Sequence, residues 1–220
     1  MITIVLADDQ ALIRKGFRLV LEGEDDLSVV GEAVDGADAV RQVARLQPDV
    51  VVMDVRMPGT DGIEATRRIV EAGGETRVLI LTTFDLDEFA YAGLRAGASG
   101  FLLKDAPPND LVSAIRSVAS GDAVVAPSVT RRLLDAYADR LPEAGAGSPL
   151  LDDPRVERLT PREREIFLAA AEGLSNPELA ERFFLSEATV KTHIGRIITK
   201  LEVRDRVQAV VLAHRLGLVS

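Results

Sequence analysis

Short apolar runs alternate with helical patterns through the first part of the chain, and this alternation limits the possible folds more than any other feature. The runs are rich in Val, Ile and Leu, which is typical of strands covered on both faces of a parallel sheet. The predicted strands cover residues 2–7, 28–33, 50–53, 77–81 and 100–103. The predicted helices cover residues 11–23, 36–46, 61–72, 87–96 and 108–120. We therefore predict a doubly wound α/β domain with a flavodoxin-like five-stranded parallel sheet in the order 2-1-3-4-5.

Composition excludes several classes of protein. The chain has 220 residues, which is enough for one large domain or two small ones. It contains no cysteine, so disulfides, thiolate zinc sites and cysteine nucleophiles are excluded. No apolar run approaches the roughly 18 residues of a membrane helix, and no basic region precedes the apolar N-terminus. We therefore expect a cytoplasmic protein that has no membrane partner.

The net charge differs between segments of the chain. The formal charge of the whole chain is −9, and an evenly acidic protein is not expected to bind nucleic acid. By segment, however, the net charge is −9 over residues 1–125, −2 over 126–154 and +2 over 155–220. The acidity therefore belongs to the first part, and the last part remains a candidate for binding DNA.

A linker is predicted over residues 122–154. Its segment 142–149 is small and polar and contains two prolines, so it cannot bury enough apolar surface to fold alone. Earlier in the linker, apolar residues recur at helical spacing and predict a short helix, namely Val129, Leu133, Leu134 and Tyr137. The predicted domains on either side cover residues 1–121 and 155–220.

Polar side chains follow four of the five predicted strands. Asp8 and Asp9 come after the first strand, Asp54 after the third, Thr82 after the fourth and Lys104 after the fifth. Because parallel strands end at the same edge of a sheet, we expect these side chains to lie close together. A single acidic residue at the start of a loop is usually a cap or a solvated turn. The coincidence at four strand ends favours a functional site.

The chemistry of this edge points to magnesium and phosphate. Neighbouring carboxylates raise each other's pKa values unless a cation lies beside them, and Mg²⁺ commonly takes one or two carboxylates with phosphate oxygens. A carboxylate beside Mg²⁺ can attack phosphorus and form an aspartyl phosphate. Lys104 and the Thr82 hydroxyl are suited to contact the phosphoryl oxygens, because this transfer needs mainly positioning and neutralisation of charge.

The segments Asp8-Asp9, Asp54-Val-Arg-Met-Pro58-Gly59 and Leu81-Thr82, together with Lys104, resemble the receiver domain of two-component response regulators. The resemblance spans about residues 2–120 and keeps both order and spacing. It implies that Asp54 accepts a phosphoryl group from a sensor histidine kinase. It further implies Mg²⁺ ligands and switch residues. The implied ligands are Asp9, Asp54 and the backbone carbonyl of Arg56, with Asp8 acting through water.

The same resemblance assigns residues that respond to phosphorylation. Thr82 would move toward the phosphoryl group, the aromatic side chain of Phe101 would rotate inward, and Lys104 would pair with the phosphoryl oxygens. Arg56 and Phe84 lie two residues beyond Asp54 and Thr82, at positions that tune how fast the aspartyl phosphate hydrolyses in this family.

The last part of the chain is predicted to be entirely helical. Thr160-Pro161-Arg162-Glu163 forms a capping box with proline at the first helical position, and this helix ends near Gly173. A second helix begins at Asn176, a third runs from Ser186 to about Leu201, and a fourth spans roughly 205–216. The short connection between the second and third helices has the length of a helix-turn-helix.

The third of these helices has one apolar stripe and one polar, basic face. This face fits insertion in the major groove of double-stranded DNA, although charge alone is equally compatible with a solvated helix. The predicted DNA contacts are Ser186, Thr189, Lys191, Thr192, His193, Arg196 and Lys200.

The amino-acid sequence of this region also resembles that of a known family. Segments 159–166, 173–180 and 185–193 closely resemble a LuxR-type helix-turn-helix. A receiver followed by this module is identified as the NarL/FixJ class of response regulators. The class implies that phosphorylation promotes a homodimer, which binds an operator and regulates transcription. Gly195 departs from the class, where this position is often basic or polar.

Other interpretations remain open at this point. A metal-dependent phosphatase could use the same acidic edge, but haloacid-type phosphatases place their nucleophile in an Asp-x-Asp arrangement after the first strand. A phosphorelay module that acts only through protein contact is disfavoured by the C-terminal helices. We expect a regulator and not an enzyme. His214 on the last helix is interpreted as a surface histidine, with a place in a dimer interface as the alternative.

Overall fold

A computed structural model describes residues 1–82, 92–121 and 153–219. The chain divides into two compact units, Met1–Val124 and Val125–Ser220. Two sequence-based predictions lie outside the described residues, namely the linker helix near residues 129–137 and the first part of the helix predicted over 87–96. Residues 92–95 of that second prediction are helical.

The first unit contains the predicted five-stranded parallel sheet. Its strands lie in the order β2-β1-β3-β4-β5, so the predicted fold class and strand order are confirmed. Residue pairs such as Ile4 with Val50 and Val52 with Leu79 align neighbouring strands. The strands are β1 (Ile2–Ala7), β2 (Leu27–Ala33), β3 (Val50–Asp54), β4 (Arg77–Thr82) and β5 (Gly100–Leu103). All five residues of β3 are buried, which explains its continuous apolar sequence.

Helices with local start signals cover the sheet. Asp35 and Asp61 cap two of them by accepting hydrogen bonds from backbone N–H groups three residues later, at 2.7 and 2.8 Å. Gly121 ends another helix in the left-handed conformation that glycine adopts easily. These helices are α1 (Ala11–Leu21), α2 (Gly36–Leu46), α3 (Gly62–Glu71) and α4 (Pro108–Ser120).

The second unit is helical throughout its described residues. Capping boxes begin two of its helices, at Thr160 with Glu163 and at Ser175 with Glu178, so the predicted start at Thr160 is confirmed. Ile166, Leu179 and Val190 contribute to a common apolar core. The helices are α5 (Pro154–Glu157), α6 (Pro161–Ala171), α7 (Asn176–Phe183), α8 (Glu187–Leu201) and α9 (Arg206–Arg215).

Helix α5 was not predicted from the sequence. It has only four residues, too few to show an apolar period, and Asp153 caps it from inside the predicted linker. Val156 of this helix is buried in the core of the second unit. Helix α5 therefore crosses the predicted boundary at 154/155, while the apolar core begins at Val156, inside the predicted domain.

Candidate functional site

The three predicted aspartates meet at the carboxyl edge of the sheet. Asp8 and Asp54 are buried, Asp9 is exposed, and one carboxylate oxygen of each lies within 4.8 Å of the others. Asp8 and Asp9 follow β1, while Asp54 is the last residue of the adjacent β3. The expectation that strand ends gather these groups is therefore met. We call these three residues and Lys104 the acidic pocket.

Lys104 supplies positive charge to the acidic pocket. Its Nζ lies 2.6 Å from Oδ2 of Asp8 and 2.9 Å from Oδ2 of Asp54, and its side chain is only 7% exposed. The backbone N–H of Lys104 donates to the carbonyl of Thr82 at 2.8 Å, which ties the end of β5 to the end of β4. Three carboxylates against one ammonium leave a formal charge of −2. The donor set and this charge fit a divalent cation that prefers oxygen ligands, such as Mg²⁺.

Burial and ion pairing shift the pKa values of Asp54 and Lys104 in the acidic pocket in opposite directions. Burial raises the pKa of Asp54, and this effect outweighs the Lys104 ammonium and the Arg56 backbone N–H, which lower it. The Asp8 carboxylate adds to the rise. Burial lowers the pKa of Lys104, but its contacts with Asp54 and Asp8 outweigh burial, so the net direction is upward. Lys104 therefore remains a cation, and an added divalent cation would favour the ionised form of Asp54.

Arg14 holds the loop that carries the first two aspartates, and sequence reasoning missed it. Its Nη1 donates to the backbone carbonyl of Asp8 at 2.6 Å, and its Nε lies 3.1 Å from Oε2 of Glu32 on β2. The backbone N–H of Gln10 donates to Oδ1 of Asp8 at 2.8 Å. Because Arg14 joins α1, β2 and the loop, it is placed to fix the position of Asp8.

Gly62 allows α3 to begin directly against Asp54, and its role was also missed. A Cβ atom at this position would lie 1.9 Å from the backbone oxygen of Asp54. The Gly62 N–H donates to the carbonyl of Val55 at 3.0 Å. Only glycine fits this approach, so the helix start and the aspartate have a fixed relative position.

The remaining predicted residues of the first unit occupy different environments. Thr82 is buried at the end of β4 and Phe101 is buried on β5. Arg56 is exposed and, with Asp9 and Met57, lines a surface cleft of about 470 Å³. Phe84 lies outside the described residues. The structure thus brings Thr82 beside Lys104 through the backbone.

The predicted DNA contacts separate into an exposed set and a structural set. Lys191, Thr192 and Arg196 are exposed on α8. Ser186 caps α8 by accepting from the N–H of Thr189 at 3.2 Å, and the two hydroxyls lie 2.8 Å apart. These two side chains therefore stabilise the helix start, whatever other contact they make.

His193 and Lys200 are turned partly toward the protein. His193 is half-buried, and its Nδ1 is buried without a hydrogen-bond partner among the described residues. The Nζ of Lys200 lies 2.6 Å from Oε2 of Glu163, whose side chain is 5% exposed. Burial raises the pKa of Glu163, but Lys200 and the cap at Thr160 outweigh it and lower the pKa to about 2. Lys200 thus joins α8 to the start of α6.

The interpretation of His214 as a surface histidine is wrong. The residue is only 5% exposed, and its Nε2 lies 3.3 Å from the backbone oxygen of Ala171 on α6. Burial lowers the pKa of the imidazole. Sequence position on the last helix suggested exposure, but α9 is apolar over most of its circumference and is largely buried.

Two family models match the chain, one in each unit. The model for the response regulator receiver domain matches residues 4–116. The model for bacterial regulatory proteins of the luxR family matches residues 157–213. Across the residues that the structure describes, no helix has the length and apolar character needed to cross a membrane.

Similar proteins match over nearly their whole length. The chain is 44% identical over 219 residues to the uncharacterized transcriptional regulatory protein YxjL of Bacillus subtilis (strain 168), covering 100% of this chain and 98% of that protein. It is 40% identical over 218 residues to the oxygen regulatory protein NreC of Staphylococcus carnosus (strain TM300), covering 99% of each. Among solved structures, the response regulator ChrA of a heme-sensing two-component system is 40% identical, with a TM-score of 0.53 and coverage of 99% and 98%. The chain therefore belongs to the NarL/FixJ class of two-component response regulators, which join a receiver domain to a LuxR-type DNA-binding domain.

Proposed function

We propose that Asp54 is the phosphoacceptor of this regulator and that a sensor histidine kinase is its phosphodonor. The observation that supports this role best is the geometry of the acidic pocket. Asp54 is buried at the sheet edge, 2.9 Å from the Lys104 ammonium, with Asp8 and Asp9 close enough to share a cation. We assign the receiver role to residues 1–121, the linker to 122–154 and the DNA-binding role to 155–220.

The transfer needs little covalent chemistry from the protein. A carboxylate oxygen of Asp54 forms a bond to phosphorus while the bond from phosphorus to the kinase histidine breaks and the leaving nitrogen keeps the electron pair. Bound Mg²⁺ would neutralise charge on the carboxylates and the phosphoryl oxygens. In our assignment Asp9, Asp54 and the Arg56 carbonyl would hold this ion directly, and Asp8 would act through water.

Phosphorylation then replaces one ion pair by another. Lys104 gives up its contact with Asp54 and pairs with the phosphoryl oxygens, while Thr82 and Phe101 adopt the switched arrangement. Arg56 and Phe84 set the lifetime of the acyl phosphate. The phosphorylated state favours a homodimer, and the differential stability of the two states carries the signal by a shift in population.

The output is regulated transcription through operator DNA, in a cytoplasmic protein without catalytic turnover. Exposed Lys191, Thr192 and Arg196 contact DNA from α8, supported by the helix start at Ser186 and Thr189. His193 and Lys200 also contact DNA, from the edges of this face of α8. Backbone phosphates account for affinity, and base edges in the major groove account for specificity.

The phosphoacceptor is tested by labelling with radioactive acetyl phosphate in the presence of Mg²⁺. Asp54→Asn should reduce labelling to background, whereas Asp25→Asn, which alters an exposed aspartate away from the pocket, should label like the wild type. Equal labelling of Asp54→Asn and wild type would refute the assignment. Labelling by a purified partner kinase repeats the test with the physiological class of donor.

The DNA contacts are tested by the salt dependence of operator binding. Lys191→Ala should weaken binding and lower the slope of log affinity against log salt by about 1, as expected for the loss of one phosphate contact. Lys15→Ala, an exposed lysine of the receiver, is the matched control. An unchanged slope for Lys191→Ala would remove this residue from the interface.

A further inference from the structure

Two arginines of α1 share one carboxylate on β2, an edge strand of the sheet. The Nε of Arg14 lies 3.1 Å from Oε2 of Glu32, and the Nε of Arg18, one helical turn later, lies 2.7 Å from Oε1 of the same residue. The hydrogen bond from Arg18, aided by that from Arg14, outweighs burial and lowers the pKa of Glu32. Glu32 therefore remains an anion between two guanidinium groups, and α1 is fastened to β2 at two points.

The two arginines differ in the group that their second nitrogen contacts. The Nη1 of Arg14 donates to the backbone carbonyl of Asp8 at 2.6 Å. The Nη1 of Arg18 instead lies 2.8 Å from Oε1 of Glu22, just after the end of α1. The Arg14 side chain is 11% exposed and that of Arg18 is 32% exposed. Arg14 thus joins Glu32 to the loop of the acidic pocket, and Arg18 provides an internal comparison on the same helix.

The carbonyl that Arg14 holds belongs to the peptide unit between Asp8 and Asp9. Because a peptide unit is planar and rigid, the direction of this carbonyl sets the relative placement of the two Cα atoms on either side of it. Other contacts hold Asp8, whose N–H donates to the carbonyl of Ala33 at 3.2 Å and whose Oδ1 accepts from the N–H of Gln10 at 2.8 Å. Asp9 is exposed, and this peptide unit links it to the buried part of the pocket.

We propose that Arg14 is a positioning residue for the magnesium site: it holds the peptide unit of Asp8 and Asp9 in the orientation that lets both carboxylates face one cation. This inference rests on the proposed Mg²⁺ and phosphoacceptor roles of the acidic pocket, and Arg14 acts on the ion through the two aspartates. Glu32 assists, because the planar fork of the guanidinium serves the carboxylate and the carbonyl together. Groups that orient metal ligands typically account for roughly 10- to 100-fold of the metal affinity.

Coulomb attraction alone predicts the opposite effect of removing Arg14. The guanidinium is a cation near a site for a divalent cation, so loss of its charge would strengthen Mg²⁺ binding if electrostatics alone mattered. If Arg14 holds the loop in place, its loss weakens Mg²⁺ binding in spite of the change in charge. Methionine keeps an unbranched apolar stem at this position and removes every donor. The sign of the change in affinity in Arg14→Met therefore separates the two effects.

The test measures Mg²⁺ affinity in the full-length protein without a phosphodonor. The ¹⁵N-labelled wild type, Arg14→Met and Arg18→Met are titrated with MgCl₂, and the amide resonances of residues 8–10 are followed. Arg14→Met should bind Mg²⁺ about tenfold more weakly than the wild type. Arg18→Met loses its contacts with Glu32 and Glu22 but none with the loop, so its affinity for Mg²⁺ should equal that of the wild type.

A second measurement separates positioning from general damage to the fold. The rate of phosphorylation by acetyl phosphate is measured as a function of Mg²⁺ concentration. For Arg14→Met, the concentration that gives half the maximal rate should rise about tenfold, while the rate at saturating Mg²⁺ should stay near that of the wild type. A rate that is reduced equally at every Mg²⁺ concentration would show damage to the fold and overturn the positioning role.

The outcomes also separate this inference from the proposed function. Unchanged or tighter Mg²⁺ binding by Arg14→Met, or equal weakening in Arg18→Met, would rule out the positioning role of Arg14 and leave the phosphoacceptor role of Asp54 intact. If the wild-type protein binds no Mg²⁺, the proposed metal site itself fails, and this inference fails with it.

Discussion

In the acidic pocket of the receiver, Lys104 contacts Asp8 and Asp54 and all three side chains are at most 7% exposed, whereas on α8 of the second unit Lys191 and Arg196 are exposed to water. In the pocket, Lys104 lies within 3 Å of two carboxylates, so each charge depends on the position of the others. Because water screens Lys191 and Arg196, each of these charges depends less on the exact position of its neighbours. The comparison predicts that substitutions in the acidic pocket cause large losses of phosphorylation rate or stability. Substitutions in the helical unit should cause smaller losses of stability.

Lys104→Ala should have the largest effect, because it removes the only ammonium in contact with Asp8 and Asp54 among the described residues. We expect the rate of phosphorylation by acetyl phosphate to fall about 1000-fold, which is the scale measured when a preorganised charge donor is deleted. Lys15→Ala should keep the wild-type rate. A reduction below tenfold would show that the pocket tolerates rearrangement and would weaken the comparison.

Gly62→Ala tests whether the backbone of the pocket is equally rigid. The added Cβ would fall 1.9 Å from the Asp54 carbonyl oxygen, so α3 or β3 must move. We expect the free energy of unfolding of the receiver to fall by about 3 kcal/mol in urea titrations. Gly74→Ala is a matched control, because its Cβ would meet no atom within 4 Å. Equal stability of the two variants would contradict the close approach.

Arg206→Ala tests the polar contacts that hold the helical unit. The Nη1 of Arg206 donates to Oδ1 of Asn176 at 2.6 Å, and its Nη2 contacts the carbonyl of Leu174, so the start of α9 is fixed to the start of α7. Loss of these bonds should destabilise the unit by about 2 kcal/mol in calorimetry. Arg215→Ala, on the exposed end of α9, should change stability little. The prediction fails if both variants unfold at the same temperature.

The smallest expected effect is a dependence of stability on pH through Glu163. Its pKa is lowered in the folded state to about 2, so its contribution is complete above the unfolded value near 4.5 and is lost as the pH falls toward 2. Lys200 is about one-third exposed, and screening by water reduces the expected contribution to about 1 kcal/mol. Glu163→Gln keeps a residue suited to a capping box but removes the charge. Its unfolding free energy should vary less over this pH range than that of the wild type, and parallel curves would exclude the contribution.

The sheet and the acidic pocket could be predicted from the sequence, because both follow from the periodicity of the apolar residues and the topology of a parallel sheet. Once β1, β3 and β5 are identified as parallel strands, Asp8, Asp54 and Lys104 must lie at one edge. Helix starts such as Thr160 and Asn176 could also be predicted from the sequence, because capping signals act within four residues.

The contacts between distant residues could not be predicted in the same way. Lys200 has the charge and helical position of a DNA contact, and nothing local indicates that Glu163 on another helix receives its ammonium. Arg14 resembles any basic residue of an amphipathic helix until the carbonyl of Asp8 is placed beside it. The burial of His214 likewise depends on how α9 packs, which is a tertiary property.

The order of the acidic pocket along the chain has a consequence for synthesis on the ribosome. Asp8 and Asp54 emerge early, but Lys104 follows β5, which is an edge strand and the last strand of the sheet to be made. A nascent receiver that ends before Lys104 therefore lacks the cation that its two buried carboxylates contact in the finished fold. Assembly of the acidic pocket is thereby coupled to completion of the sheet, because its cation comes with the last strand.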